Sequence, residues 1–172
     1  MRLLILITAL LAFECYAKDY PSCDIHASKN VALYVNGKQA SIQAAIKGTP
    51  CHEAQLEIKV IVAGKVAYSY KAPFKPHVAI QWDDLTEQDA KDYLNSIFES
   101  NHIINCSELL PSKLDAVVGW DYNNLLVPLS QYEKYKSSKC RAFTHQTHYE
   151  SNRAIVFPTN STTGVIVSEY GL

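Results

Sequence analysis

Residues 56–70 read LEIKVIVAGKVAYSY, and the fold turns on how this stretch is parsed. Leu56, Ile58, Val60 and Val62 alternate with Glu57, Lys59 and Ile61, so one face of an extended chain is apolar throughout. Ala63-Gly64-Lys65 interrupts the run, and Val66, Tyr68 and Tyr70 resume the alternation. Two alternating runs around a short glycine-bearing break make an antiparallel hairpin with one face to bury.

Upstream, Val31 to Val35 meets Asn36-Gly37, a type I′ turn signal, and Gln39 to Ile46 returns as its partner strand. Downstream, Val78 to Trp82 adds a further extended run. The period then changes to about 3.6. Ala90, Tyr93, Leu94, Ile97 and Phe98 form one stripe, with Glu87, Asp89, Lys91, Asp92, Asn95 and Glu99 opposite, which predicts a helix over Glu87 to Ser100. Thr86 and Asp89 have capping-box spacing, the acidic first turn suits the helix dipole, and Asn101 is the expected stop. This helix needs an apolar sheet face, and the 56–70 hairpin is expected to supply it as the core.

Further along, Pro111 limits the stretch from Cys106 to Val118 to a turn of helix followed by loop. Leu125 to Leu129 reads as a short strand. Ser130 with Glu133 reads as a second capping box, opening a helix over about Gln131 to Ser138. Three strands follow, Ala142 to Tyr149, Ala154 to Phe157 and Val165 to Tyr170, the last two joined through Asn160 to Gly164. The expected class is α+β: a mainly antiparallel sheet of hairpins with one main helix on a face and a second short helix.

The N-terminus sets the compartment. Arg2, an apolar run from Leu3 to Ala12 and the small residues of Cys15-Tyr16-Ala17 read as a secretory signal peptide over residues 1–17, leaving 18–172 as one exported domain beginning at Lys18. The run is too short to span a bilayer, which takes roughly 20 apolar residues, and no later stretch approaches that length. Lipidation of Cys15 would need a small residue where Glu14 stands. The expected location is secreted or periplasmic. Without Cys15, Cys23, Cys51, Cys106 and Cys140 remain, an even set that reads as two disulfides. Of the three possible pairings, Cys23 with Cys51 and Cys106 with Cys140 closes the shortest loops, each bridge stabilising by about 3–4 kcal/mol in the chain-entropy model.

A formal net charge of −1, with Lys and Arg scattered singly, excludes nucleic acid as a primary partner. His145, His148 and Glu150 invite a metal reading, but in a strand positions three apart face opposite ways, so no metal site is expected. His145 to Glu150 is read instead as a recognition strand whose polar side chains face solvent or a partner. His52-Glu53 begins a zinc-protease motif that Leu56 breaks. No Gly-x-Ser-x-Gly elbow or phosphate-cradling loop is present, and bridged cysteines offer no nucleophile. Asp83, Asp84 and Asp121 lie near tryptophans, but the first two stand where acidic residues cap the helix. No catalytic residue and no cofactor is assigned.

Eleven tyrosines and two tryptophans supply interface anchors, and Thr147, His148, Tyr149, Trp120 and Tyr122 are the expected binding residues. Asn160-Ser161-Thr162 is a glycosylation sequon, used only in a eukaryotic host. The reading that follows is a non-catalytic exported protein that binds a protein or glycan outside the cytoplasm, as an inhibitor or immunity-type factor would. Its alternatives are a small secreted hydrolase using His148, Glu150 and Asp121, and an envelope structural or assembly component.

Overall fold

The computed structural model describes residues 21–35, 37–78, 85–99, 102–112, 122–159 and 161–171. The expected leader, Asn36, residues 79–84 with Trp82, Asp83 and Asp84, the helix end at Ser100-Asn101, Trp120, Asp121 and the sequon's Asn160 lie outside the described residues. Of the predicted 78–82 strand only Val78 is described, as a bend.

The class is α+β, with antiparallel pairing throughout, and the strands divide into two sheets. The first sheet takes β1 (Cys23–Val35), β2 (Lys38–Gly48), β3 (Gln55–Val62) and β4 (Lys65–Pro73) in sequence order. The 56–70 hairpin is its β3–β4 pair, with Val62 opposite Lys65 and a tight turn in which Ala63 and Gly64 both have positive φ, 51° and 77°. That is the type I′ geometry that matches strand twist. Leu33, Ile42, Ile46, Leu56, Ile58 and Val60 fill one face with no exposure, while His26, Ser28 and Gln43 stand exposed on the other.

After β4, a 3-10 turn (Lys75–His77) leads towards α1 (Glu87–Ile97). Both arms of the Thr86–Asp89 capping box form, the Asp89 amide donating to Thr86 Oγ1 at 3.2 Å and the Thr86 amide to Asp89 Oδ2 at 2.8 Å. Ala90, Tyr93, Leu94 and Ile97 are the buried stripe. They join the core that the first sheet's inner face shares with the second sheet, but α1 lies mainly over β1 and β2, with Phe74 against Tyr93 as its contact near the end of β4.

The second sheet comprises β5 (Ile103–Asn105), β6 (Tyr122–Leu125), β7 (Arg141–His148), β8 (Ser151–Phe157) and β9 (Val165–Gly171), in the order β5-β7-β8-β9-β6. The strand expected at 125–129 therefore sits earlier: Leu126 and Leu129 are 46% and 54% exposed, and the polar Asn123-Asn124 pair belongs to the edge strand. The second helix, α2 (Leu129–Lys136), also starts early. Pro128 occupies its N-cap without a side-chain hydrogen bond, so the Ser130–Glu133 capping box does not form. Both Gln131 and Tyr132 amides already donate to the Pro128 carbonyl, at 2.9 and 3.0 Å, which places Ser130 inside the first turn.

This second sheet packs apolar residues on both faces. Phe143, Ile155 and Phe157 enter the shared core, while Ala142, Ala154 and Val156 pack under Tyr132 and Leu109 in a smaller core of their own. The bridges are Cys23–Cys51 and Cys106–Cys140, spanning 28 and 34 residues, as the shortest-loop argument expects. The first ties the start of β1 to the turn after β2, and the second ties the turn after β5 to the entry of β7. Disulfides of this kind persist in oxidising compartments. No described helix is long and apolar enough to cross a membrane.

Candidate functional site

The densest polar chemistry among the described residues lies where the two sheets meet. Tyr68 and Tyr70 project inward from β4, the edge strand of the first sheet, because inward positions on β4 alternate. Facing them, His145, Arg153 and Glu169 form one register row across β7, β8 and β9. His77 arrives from the 3-10 turn after β4.

The hydrogen bonds assign the tautomers. His145 Nδ1 stands 2.7 Å from the Gln146 carbonyl, which only accepts, so Nδ1 carries the proton and donates. Nε2 is then a bare lone pair, and the Tyr68 hydroxyl donates to it at 2.7 Å. His77 repeats the pattern: Nδ1 donates to the Phe74 carbonyl at 3.1 Å and Nε2 accepts from Tyr70 at 3.1 Å. The Tyr70 proton is shared with the Thr147 carbonyl at 3.3 Å. Arg153 donates to Glu169 through Nε at 2.7 Å and also through Nη2, lies over the Tyr70 ring with its guanidinium carbon 5.3 Å from the centroid, and reaches the Tyr68 oxygen.

Burial sets the protonation states. His145 is 1% exposed, and loss of solvation holds its pKa down at about 3, with Arg153 opposing a second positive charge nearby. Burial lowers His77 as well and pushes Tyr68 up to about 12. Both imidazoles are neutral with every ring nitrogen engaged, and the tyrosine protons are committed. The constellation joins the sheets, its two imidazoles committed to internal partners and its Arg153–Glu169 pair at the partly exposed margin.

The expected recognition strand divides at this point. His145, expected to face solvent or a partner, is in the core: it lies two residues after Phe143 on the same face, and Phe143 is fully buried. That apolar neighbour at strand spacing was the available signal. Thr147 falls at a break in register between Gln146 and His148, half-buried, with its carbonyl taken by Tyr70.

Beyond the break the chain turns outward. His148 and Tyr149 are exposed with ring centroids 5.1 Å apart. Three bonds hold this turn. The Tyr149 amide donates to the Pro76 carbonyl at 2.8 Å, Gln146 Nε2 donates to the Tyr149 carbonyl at 3.4 Å, and the Tyr149 hydroxyl donates to Glu150 Oε1 at 2.5 Å. The Glu150 amide points at His148 Nδ1 from 3.5 Å. His148 pairs with Ser151, Ser151 with Gly171, and Gly171 with Tyr122, so the backbone of Tyr122 lies in the same terminal row of the sheet. Thr147, His148 and Tyr149 thus lie together at the β7–β8 end, the Tyr122 backbone stands three strands across in the same terminal row, and Trp120 lies outside the described residues. Among the described residues no group of three or more His, Cys, Asp or Glu side chains is placed to hold a metal ion. No protein-family model matches this chain, and no curated protein or solved structure is detectably similar to it.

Proposed function

We propose that this is an exported, non-catalytic protein that binds another macromolecule through the β7–β8 end of its second sheet. One observation carries the reading: Tyr149, 44% exposed, stands beside His148 in a turn held by three hydrogen bonds within the chain. An exposed aromatic carried on a backbone that hydrogen bonds hold loses less entropy on docking than one on an untethered loop, which suits an interface anchor. Export is supported by the signal-like leader and by two disulfides that suit an oxidising compartment.

The test compares the wild-type chain with Tyr149→Ala as immobilised bait against the extracytoplasmic fraction of the source cells, read by quantitative mass spectrometry. A partner retained by wild type and depleted about tenfold or more by Tyr149→Ala is the expected result. Identical capture profiles for the two baits overturn the assignment of this turn as the binding surface. Intact mass of the exported protein checks compartment and bridges together: it should begin at Lys18 and gain about four hydrogens on reduction.

A further inference from the structure

On the far face of the second sheet, away from the first sheet, a concavity of about 320 Å³ opens between the strands and the segment that follows β5. Its volume falls at the lower end of small-molecule sites, about 300–1,000 Å³. Five polar residues line it: His102, Glu108, Thr144, Asn152 and Tyr170. Ile104, Leu109 and Leu110 supply apolar patches between them. Thr144 and Asn152 share this face because they stand on adjoining positions of the β7–β8 ladder, and Asn152 pairs directly with Tyr170 on β9.

Several of these groups are positioned by the protein itself. Glu108 is held by Asn105 Nδ2, and Asn105 Oδ1 accepts in turn from Arg141 at 2.8 Å. The Thr144 hydroxyl donates to the His102 carbonyl at 3.5 Å and lies beside the Tyr170 hydroxyl. Tyr132 anchors the overlying segment by donating to the Leu110 carbonyl at 2.8 Å. Burial favours the uncharged imidazole of His102 and the protonated phenol of Tyr170.

Among the described residues the lining contains no lysine or arginine, and its one charged side chain is the Glu108 carboxylate, which disfavours an anion. It combines an amide, two hydroxyls, an imidazole and one carboxylate with aliphatic patches and a tyrosine ring. A hydroxylated ring with C–H faces presents the complementary surface, offering donors and acceptors around its rim and apolar area on its faces. From this we infer that the concavity is a binding site for a neutral sugar of monosaccharide size, separate from the β7–β8 turn and independent of the reading above.

The test is nuclear magnetic resonance titration of the intact protein with the methyl glycosides of glucose, galactose, mannose and N-acetylglucosamine, with cyclohexanol as a ring of similar shape lacking the hydroxyl set. The expected result is saturable millimolar binding of at least one glycoside, with amide shifts at His102, Glu108, Thr144, Asn152 and Tyr170 and none from cyclohexanol. Asn152→Ala should weaken that binding about tenfold, the loss of one or two hydrogen bonds, and Tyr170→Phe should weaken it while keeping the ring. Tyr149→Ala should leave it unchanged, which separates failure of this site from failure of the turn. Absence of saturation with all four glycosides, equal binding of cyclohexanol, or shifts centred elsewhere overturns the inference.

Discussion

His145 has two ring nitrogens and two partners, and the consequences are energetic. Its replacement by alanine opens a hole in the shared core and leaves the buried Tyr68 proton without its acceptor, so His145→Ala should cost about 2–4 kcal/mol in denaturant unfolding. A loss under about 0.5 kcal/mol would show that water replaces the imidazole without penalty. The same residue makes stability depend on pH. Its folded-state pKa is held at about 3 against an ordinary 6.5, so below pH 6.5 the unfolded chain binds a proton that the folded chain refuses. Stability present at neutral pH is therefore lost as pH falls from about 6.5 towards 3, at up to about 1.4 kcal/mol per pH unit for one proton. Burial lowers His77 and His102 too, adding in the same direction. Urea unfolding at about pH 7, 6, 5 and 4 should give a falling series whose slope is shallower by close to one proton in His145→Ala.

At the scale of elements, α1 shows how local and tertiary forces divide the work. Its start is written in Thr86 and Asp89, and its buried face in the spacing of Ala90, Tyr93, Leu94 and Ile97. Which strands it covers is not a local property, and it settles chiefly on β1 and β2. Leu94 is 1% exposed and Phe98, the C-cap, is only half-buried. Leu94→Ala should accordingly cost about 2–5 kcal/mol and Phe98→Ala clearly less, whereas equal losses would mean that the helix continues its packing past Ile97. The edge strand β6 shows the converse. Leu125 to Leu129 reads as a strand, yet residue pairing with β9 ends at Leu125 and the chain turns helical at Leu129. A four-residue edge strand carrying two asparagines has almost no hydrophobic signature of its own.

For the whole molecule, the two sheets are tied where β4 runs against the second sheet. Tyr68 binds His145, the Tyr149 amide binds the Pro76 carbonyl, and the Gly164 amide donates to the Ala67 carbonyl at 2.8 Å. Glycine is required at the third of these: a Cβ there would stand 2.6 Å from Ile155 Cγ2 and 2.9 Å from a Phe157 ring carbon. Gly164→Ala must push against the shared core or break the tie, and should destabilise by about 1–3 kcal/mol. Wild-type stability in that variant would show that the loop yields at no cost. Because both sheets contribute to one core, unfolding followed by fluorescence and by circular dichroism should coincide in the wild type.

The alternating hairpin at 56–70, the capped helix that begins at Glu87, the nearest-neighbour disulfides and the α+β class are legible in the residues alone. Each of these depends on residues close together along the chain, where period, turn chemistry and loop length act directly. Thr147, His148, Tyr149, Trp120 and Tyr122 are the residues expected to bind a partner, and strand register sets only where the described ones among them stand. The tertiary structure alone decided that the strands split into two sheets, that His145 is a core residue, and that His102, Glu108, Thr144, Asn152 and Tyr170 line one concavity. The reason is distance in the chain: Tyr68 and His145 are 77 residues apart, and Thr144 and His102 are 42 apart. Pairing across such separations is chosen by the packing of whole faces, and a periodic pattern marks which face is apolar without saying what will cover it.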